Sequence, residues 1–220
     1  MPVSQRAVDL IINAEITSPE VYAKEFQHPT LPGADSGITV GVGYDLGQES
    51  IQQIVTDWSD YLPDEVVVRL CAVAGLRGQN AREALPGVVD IVVPYEAASA
   101  VFGKRSLPRF TDGTIKAMPK AAELPDDSLG ALVSISYNRG FGGWTMTDNR
   151  HFEMAAIASS IEAGNLGVIP SLIRRMKRLW RDAEGNALPG CAGLLTRRDD
   201  EAQLFQDGLN AAATSVQVTA

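Results

Sequence analysis

The 220-residue chain has only two histidines and two cysteines, and that scarcity excludes much chemistry. A zinc amidase or endopeptidase needs His, Cys or Asp ligands in a workable constellation. Only His28 and His151 are on offer, no H-E-x-x-H is present, and His28 lies in ordinary loop sequence. A cysteine peptidase would have to pair Cys71 or Cys191 with one of those histidines, and no spacing supports it. Nor do two cysteines make a disulfide framework. Cys71 falls in the apolar run Val66–Val73 and reads as a buried thiol, and Cys191 as a loop residue.

Positive charge is also short. Nineteen Lys and Arg face 27 Asp and Glu, for a net charge of -8, which argues against nucleic acid as the main partner. No apolar run approaches the ~20 residues that a membrane span needs. The start, Met1-Pro2-Val3-Ser4-Gln5-Arg6, has no signal-peptide layout, so synthesis in the cytoplasm is expected. Glycines 41, 43 and 47 miss the dinucleotide fingerprint, and no Lys-Ser/Thr follows to make a phosphate loop. There is no internal repeat and no Pro/Ser-rich linker to a further module. The expectation is therefore an enzyme without metal or cofactor.

What the chain does have is concentrated in Gly37–Gly47. Ile38, Val40, Val42 and Tyr44 alternate with Thr39, Gly41, Gly43 and Asp45, so one face of an extended segment is apolar and the other carries a hydroxyl and a carboxylate. A straight strand would hold Thr39 and Asp45 about 20 Å apart. If both serve one reaction, the chain must turn at Gly41 or Gly43, where positive φ is cheap. A short glycine hairpin is the prediction. Asp35 is the rival carboxylate, although Asp35-Ser36-Gly37 also reads as turn chemistry before a strand.

Upstream, Ser4 is a plausible N-cap for a helix on which Val8, Ile11, Ile12 and Glu15 follow the i, i+3, i+4, i+7 rule. That puts the Glu15 carboxyl on an apolar stripe, which disfavours its charged form, as a general acid requires. The competing reading is a glutamate at a helix end turned to water. Glycoside hydrolysis needs only carboxyls and a positioned water, and these residues supply both.

The rest of the chain reads as mostly helical, with residues 103–127 broken by Pro108, Gly113, Pro119 and Pro125. Leu129–Tyr137 is the most hydrophobic stretch and carries no charge, as a buried central helix would. It ends at Asn138-Arg139-Gly140-Phe141-Gly142-Gly143-Trp144, whose amide, guanidinium and aromatic groups suit sugar rings. A helix C-cap with flanking aromatics explains the same residues. Arg174, Arg175, Lys177, Arg178 and Arg181 form a basic segment, either a positive cleft wall or a solvated helix face.

Glu15, the glycine-flanked Thr39-Val40-Gly41-Val42-Gly43 and Asp45-Leu46-Gly47 together resemble the catalytic signature of phage-type lysozymes, glycoside hydrolase family 24. They are most similar to the pesticin-like branch, where the aspartate follows the threonine. Ala131–Gly140 resembles that family's central buried helix, and Trp180 with Gly193–Ala202 its C-terminal GL-x-x-RR-x-x-E-A segment. The resemblance runs from about residue 5 to about residue 207. It implies an α+β, mainly α, lysozyme-like fold with a small N-terminal β-hairpin lobe (about 15–60) and a larger helical lobe (about 61–210). These would form one catalytic domain over 1–210, with a flexible tail over 211–220.

The activity implied is a muramidase cutting the β-1,4 bond between N-acetylmuramic acid and N-acetylglucosamine. Glu15, Thr39 and Asp45 would be catalytic, and Tyr44, Asn138, Arg139 and Arg197 would contact substrate. Arg197 is expected to reach Glu15. The implied partner is bacterial peptidoglycan, met in the periplasm after release or delivery by a monomeric enzyme. A phage endolysin is the first expectation, since the chain begins almost at the catalytic helix. The alternatives are a bacteriocin or secreted-effector toxin, with an immunity protein as partner, and a non-catalytic wall-binding phage structural domain.

Overall fold

The computed structural model describes residues 3–33 and 35–218, with side chains through Thr214. It is largely helical, with one two-stranded antiparallel hairpin near the N-terminus, the α+β, mainly α class expected. The chain divides into two compact units, Glu15–Leu107 and Met1–Ala14 with Pro108–Ala220.

The unit of the hairpin contains the end of α1 (Gln5–Ile16), the single turn α2 (Pro19–Val21), β1 (Thr39–Val40), β2 (Tyr44–Asp45), α3 (Ile51–Trp58), α4 (Asp64–Cys71), α5 (Gly78–Ala84) and α6 (Tyr95–Val101). Three helix starts, those of α1, α2 and α3, follow local capping chemistry. Ser4, Ser18 and Ser50 each accept a backbone N–H three residues on, at 3.1, 3.3 and 3.1 Å.

This unit runs to Leu107, well past the boundary near residue 60 that the sequence suggested. The physical reason is that later helices and loops close over the hairpin. Gly41 lies so near Trp58 of α3 and Ala98 of α6 that an added Cβ would meet them at 3.0 and 3.4 Å. Tyr22 Oη donates to the Val93 carbonyl at 2.9 Å, and His28 Nδ1 lies 2.9 Å from the Ile91 carbonyl. Contacts so distant in sequence leave no local signal.

The second unit is built on α8 (Asp126–Arg139), joined by α7 (Leu107–Ala117), α9 (Phe152–Glu162), α10 (Ile169–Arg175), α11 (Ala192–Val218) and the body of α1. Residues 128–136 of α8 are all buried, as their lack of charge predicted. Each large aliphatic side chain among them contributes roughly 1.5–3 kcal/mol by burial. Glycine lets the neighbouring helices approach: a Cβ on Gly130 would lie 2.2 Å from the Ala7 Cβ, and one on Gly208 would lie 2.4 Å from Ser128 Oγ. Arg6 ties the same three helices together, reaching Asp127 at 2.5 Å and Asp207 at 2.6 Å.

Two local readings differ from what is observed. Residues 107–117 form a helix despite Pro108 and Gly113. Pro108 comes just after the π-helical turn Phe102–Ser106, where the regular i→i−4 bonding that proline cannot join is already interrupted, and Gly113 makes room for the Phe141 ring, which an added Cβ would meet at 2.5 Å. At the other end α11 continues through Val218, so residues 211–218 of the expected flexible tail are helical, and 219–220 lie outside the described residues. The stretch Asn210-Ala211-Ala212-Ala213 favours helix by propensity, and neither Gly nor Pro stops it.

Candidate active site

The predicted turn is there. Thr39 pairs with Asp45 and Val40 with Tyr44, and the three-residue connection holds Gly41 at φ 60° and Gly43 at φ 67°. A side chain at either position would be strained, so the glycines allow the tight return. Ile38, Val40, Val42 and Tyr44 are all buried, as the alternation requires, whereas Thr39 and Asp45 are half-buried on the opposite face.

The register brings these two side chains close. Both backbone groups of Thr39 bond to Thr30, at 2.8 and 2.9 Å, and Leu46 N donates to the Ile38 carbonyl at 2.9 Å. Thr39 and Asp45 are therefore the non-hydrogen-bonded pair of the ladder, the kind whose Cα atoms sit about 4.5 Å apart with side chains nearest each other. Among the described residues, nothing hydrogen-bonds the Thr39 hydroxyl.

The Asp45 carboxylate is held at both oxygens. Oδ1 accepts from Gly47 N at 2.9 Å, and Oδ2 accepts from Gln48 Nε2 at 3.0 Å. Gly37 closes the space beside it: an added Cβ there would lie 2.2 Å from Oδ1 and 2.5 Å from Gly47 N and Cα. Gly47 is confined in turn, since its own Cβ would meet the Leu76 carbonyl at 2.5 Å. Sequence reasoning missed this clamp. A signal existed in Asp45-Leu46-Gly47-Gln48, where a capping residue is followed three positions later by Gln.

Glu15 lies one residue before the end of α1, half-buried, with Ile11 and Ile16 fully buried on the same helix. It belongs to the unit of the hairpin, so Glu15, Thr39 and Asp45 share one compact body. The helix stops at Thr17, whose φ of 64° is left-handed, a genuine outlier for a β-branched residue. Asp35 is exposed in the turn ahead of β1.

The expected substrate contacts fare differently. Tyr44 is 4% exposed, its hydroxyl donates to buried Asp57 Oδ2 at 2.7 Å, and its ring stands edge-on to Trp58 at 5.4 Å. Its side chain is committed to the core, and the phenol is satisfied by an acid thirteen residues away. Trp144 is likewise buried, with Nε1 donating to Ser136 Oγ at 2.9 Å.

Asn138, Arg139 and Arg197 all belong to the helical unit. Asn138 is half-buried, and its Oδ1 has no hydrogen-bond partner among the described residues. Arg139 donates to the Arg150 carbonyl at 2.8 Å and stacks 5.4 Å from the Trp180 ring centroid; burial, aided by the charge of Arg150, lowers its pKa. Arg197 is buried, with Nε 3.2 Å from Glu201 Oε1 and Nη2 donating to the Ser134 carbonyl at 3.2 Å. Arg198 joins the same acid at 2.7 Å. Much of the basic segment is also neutralised: Lys177 pairs with Asp199 at 2.7 Å and Arg178 with Glu153 at 2.7 Å. Both cysteines are free and half-buried, and burial raises the pKa of the Cys71 thiol. Among the described residues no helix is long and apolar enough to cross a membrane.

Comparison with solved structures gives the "active form of P1 phage endolysin Lyz", at 16% identity and a TM-score of 0.53, over 94% of this chain and 86% of that one. At that identity the likeness speaks for the fold. No curated protein matches the chain. The family described as "Pesticin: Bacterial toxin homologue of phage lysozyme, C-term" matches residues 7–141, a span that contains Glu15, the whole hairpin and α8. With more than half of its length matched, the chain belongs to this family of bacterial toxin homologues of phage lysozyme.

Proposed function

We propose that the protein is a muramidase that hydrolyses the β-1,4 bond between N-acetylmuramic acid and N-acetylglucosamine in peptidoglycan. The observation that carries this reading is the hairpin register, which sets Thr39 opposite Asp45 and so puts the hydroxyl and the carboxylate on the same face. Bond and substrate come from the family, and the roles come from the chemistry of the residues.

Glu15 gives its proton to the leaving glycosidic oxygen, as general acid. Asp45, fixed at both oxygens, holds or deprotonates a water on the opposite face of the sugar. The Thr39 hydroxyl orients that water. Arg197 and Arg139 are already engaged by protein groups, so a part for either in substrate binding would be secondary to their structural one.

Two settings suit such an enzyme. We favour a phage endolysin; the P1 phage endolysin shares the fold, which is as far as that likeness reaches. A toxin's killing domain is the second reading, and the description of the matched family favours it. Either acts on the wall from the periplasm. The chemistry is tested by incubating the purified protein with purified peptidoglycan, reducing the products with borohydride and identifying the reduced sugar. Reduced muramic acid is expected. Reduced glucosamine would mean a different bond, and sedimentation with the wall without new ends would mean a binding domain.

A further inference from the structure

We infer that Gln48 is a positioning residue for Asp45, one that fixes Oδ2 as the oxygen that meets the nucleophilic water; this rests on the muramidase reading above. A carboxylate offers about four lone-pair directions. On Oδ1 one is taken by the Gly47 N–H, and the backbone of Gly37 lies against the same oxygen, closing its surroundings with carbon. On Oδ2 one is taken by Gln48 Nε2, and this bond is exposed to solvent where the one at Oδ1 is part-buried. Water therefore approaches Asp45 at Oδ2, beside the Gln48 amide.

The Gln48 contact is surplus to the local structure. Asp45 caps the short turn Leu46–Gln48, and the bond from Gly47 N to Oδ1 performs that capping alone. Gln48 is exposed, so its amide is not fulfilling the demand of a buried group. Its effect falls on orientation. The terminal torsion of Asp is broad and roughly two-fold, so one bond at Oδ1 leaves the carboxylate plane free to swing. A second bond at Oδ2 fixes the plane and, with it, the direction of the remaining lone pair.

Three variants test this, with turnover followed on purified peptidoglycan. Gln48→Ala should lower kcat about tenfold or more by loosening the nucleophile's geometry, while KM and the unfolding temperature stay near wild type. Gln48→Glu keeps the length but sets a carboxylate against a carboxylate. Its kcat should fall below that of the alanine variant at neutral pH. It should recover relative to wild type as pH drops toward the ordinary glutamate value of ~4.3, beginning above it because the Asp45 charge raises the pKa of the introduced carboxyl, which can then donate to Oδ2. A purely structural role for an exposed residue gives neither that order nor the recovery in acid. Asp45→Asn is the control on the underlying reading. If it is inactive while both Gln48 variants turn over like wild type, the positioning inference fails alone. If Asp45→Asn stays active, the catalytic role of Asp45 fails, and the inference with it.

Discussion

Gly37→Ala probes the clamp on Asp45 from the side that cannot yield. The new methyl carbon would start 2.2 Å from Asp45 Oδ1 and 2.5 Å from Gly47 N and Cα, against ordinary contacts of 3.4–4 Å. Something must move by about 1 Å. Oδ1 is bonded to Gly47 N and Oδ2 to Gln48, so the carboxylate can give only by breaking a hydrogen bond. Gly47 is backbone, wedged against the Leu76 carbonyl. Overpacking of this kind costs roughly 1–3 kcal/mol, which for a chain of this length lowers Tm by a few degrees at about 2–4 °C per kcal/mol. The catalytic cost should be larger, since a misplacement of about 1 Å in a positioned group can remove about a hundredfold in rate. The assay pairs thermal unfolding with reducing-end release from peptidoglycan. Gly193→Ala serves as the comparison, because its Cβ meets nothing within 4 Å and its backbone is not left-handed. That variant should be neutral or stabilised by up to about 1 kcal/mol. Wild-type activity and Tm in Gly37→Ala would refute the clamp.

Two further substitutions follow from the same geometry. Asp45→Asn should reduce peptidoglycan hydrolysis by orders of magnitude, whereas Asp35→Asn, in an exposed turn, should change it little; the reverse result would transfer the role of Asp45 to Asp35. Thr17→Gly removes a left-handed β-branched residue just past Glu15. The strain relieved is of order 1–3 kcal/mol and the greater freedom of glycine in the unfolded chain offsets about 1, so Tm should rise slightly; a fall would show that the Thr17 side chain makes a contact worth more than its strain.

Features of short range were legible in the sequence. The period-two alternation of Ile38–Asp45 gave the buried face, and the incompatibility of a straight strand with joint action gave the turn at Gly41 and Gly43. The Ser4 cap and the helical spacing gave the helix that carries Glu15, and the uncharged run from Leu129 gave the buried helix. What was missed depends on groups far apart in sequence. Tyr44 was assigned to substrate as well as to the apolar face, and only the meeting with Asp57 and Trp58 decides for the core. The basic segment reads as a positive wall or a solvated face, and its pairing of Lys177 with Asp199 and Arg178 with Glu153 rests on groups 22 and 25 residues away. Pro108 and Gly113 read as breaks, because a proline after a π-helical turn and a glycine under an aromatic ring are indistinguishable in sequence from loop residues. The Asp45 clamp needed Gly37, Gly47 and Gln48 together, and only the folded hairpin assembles them.

The central claim is that Glu15 donates the proton that breaks the glycosidic bond. Its most direct measurement is borohydride-trapped muramic acid, released from purified peptidoglycan by wild type and by Glu15→Gln at equal concentration, with circular dichroism and Tm recorded for both. The replacement is nearly isosteric but has no proton of suitable acidity to give. The account predicts reduced muramic acid from wild type, none above background from Glu15→Gln, and the same fold and Tm in both. Near-normal release by the folded variant would contradict it.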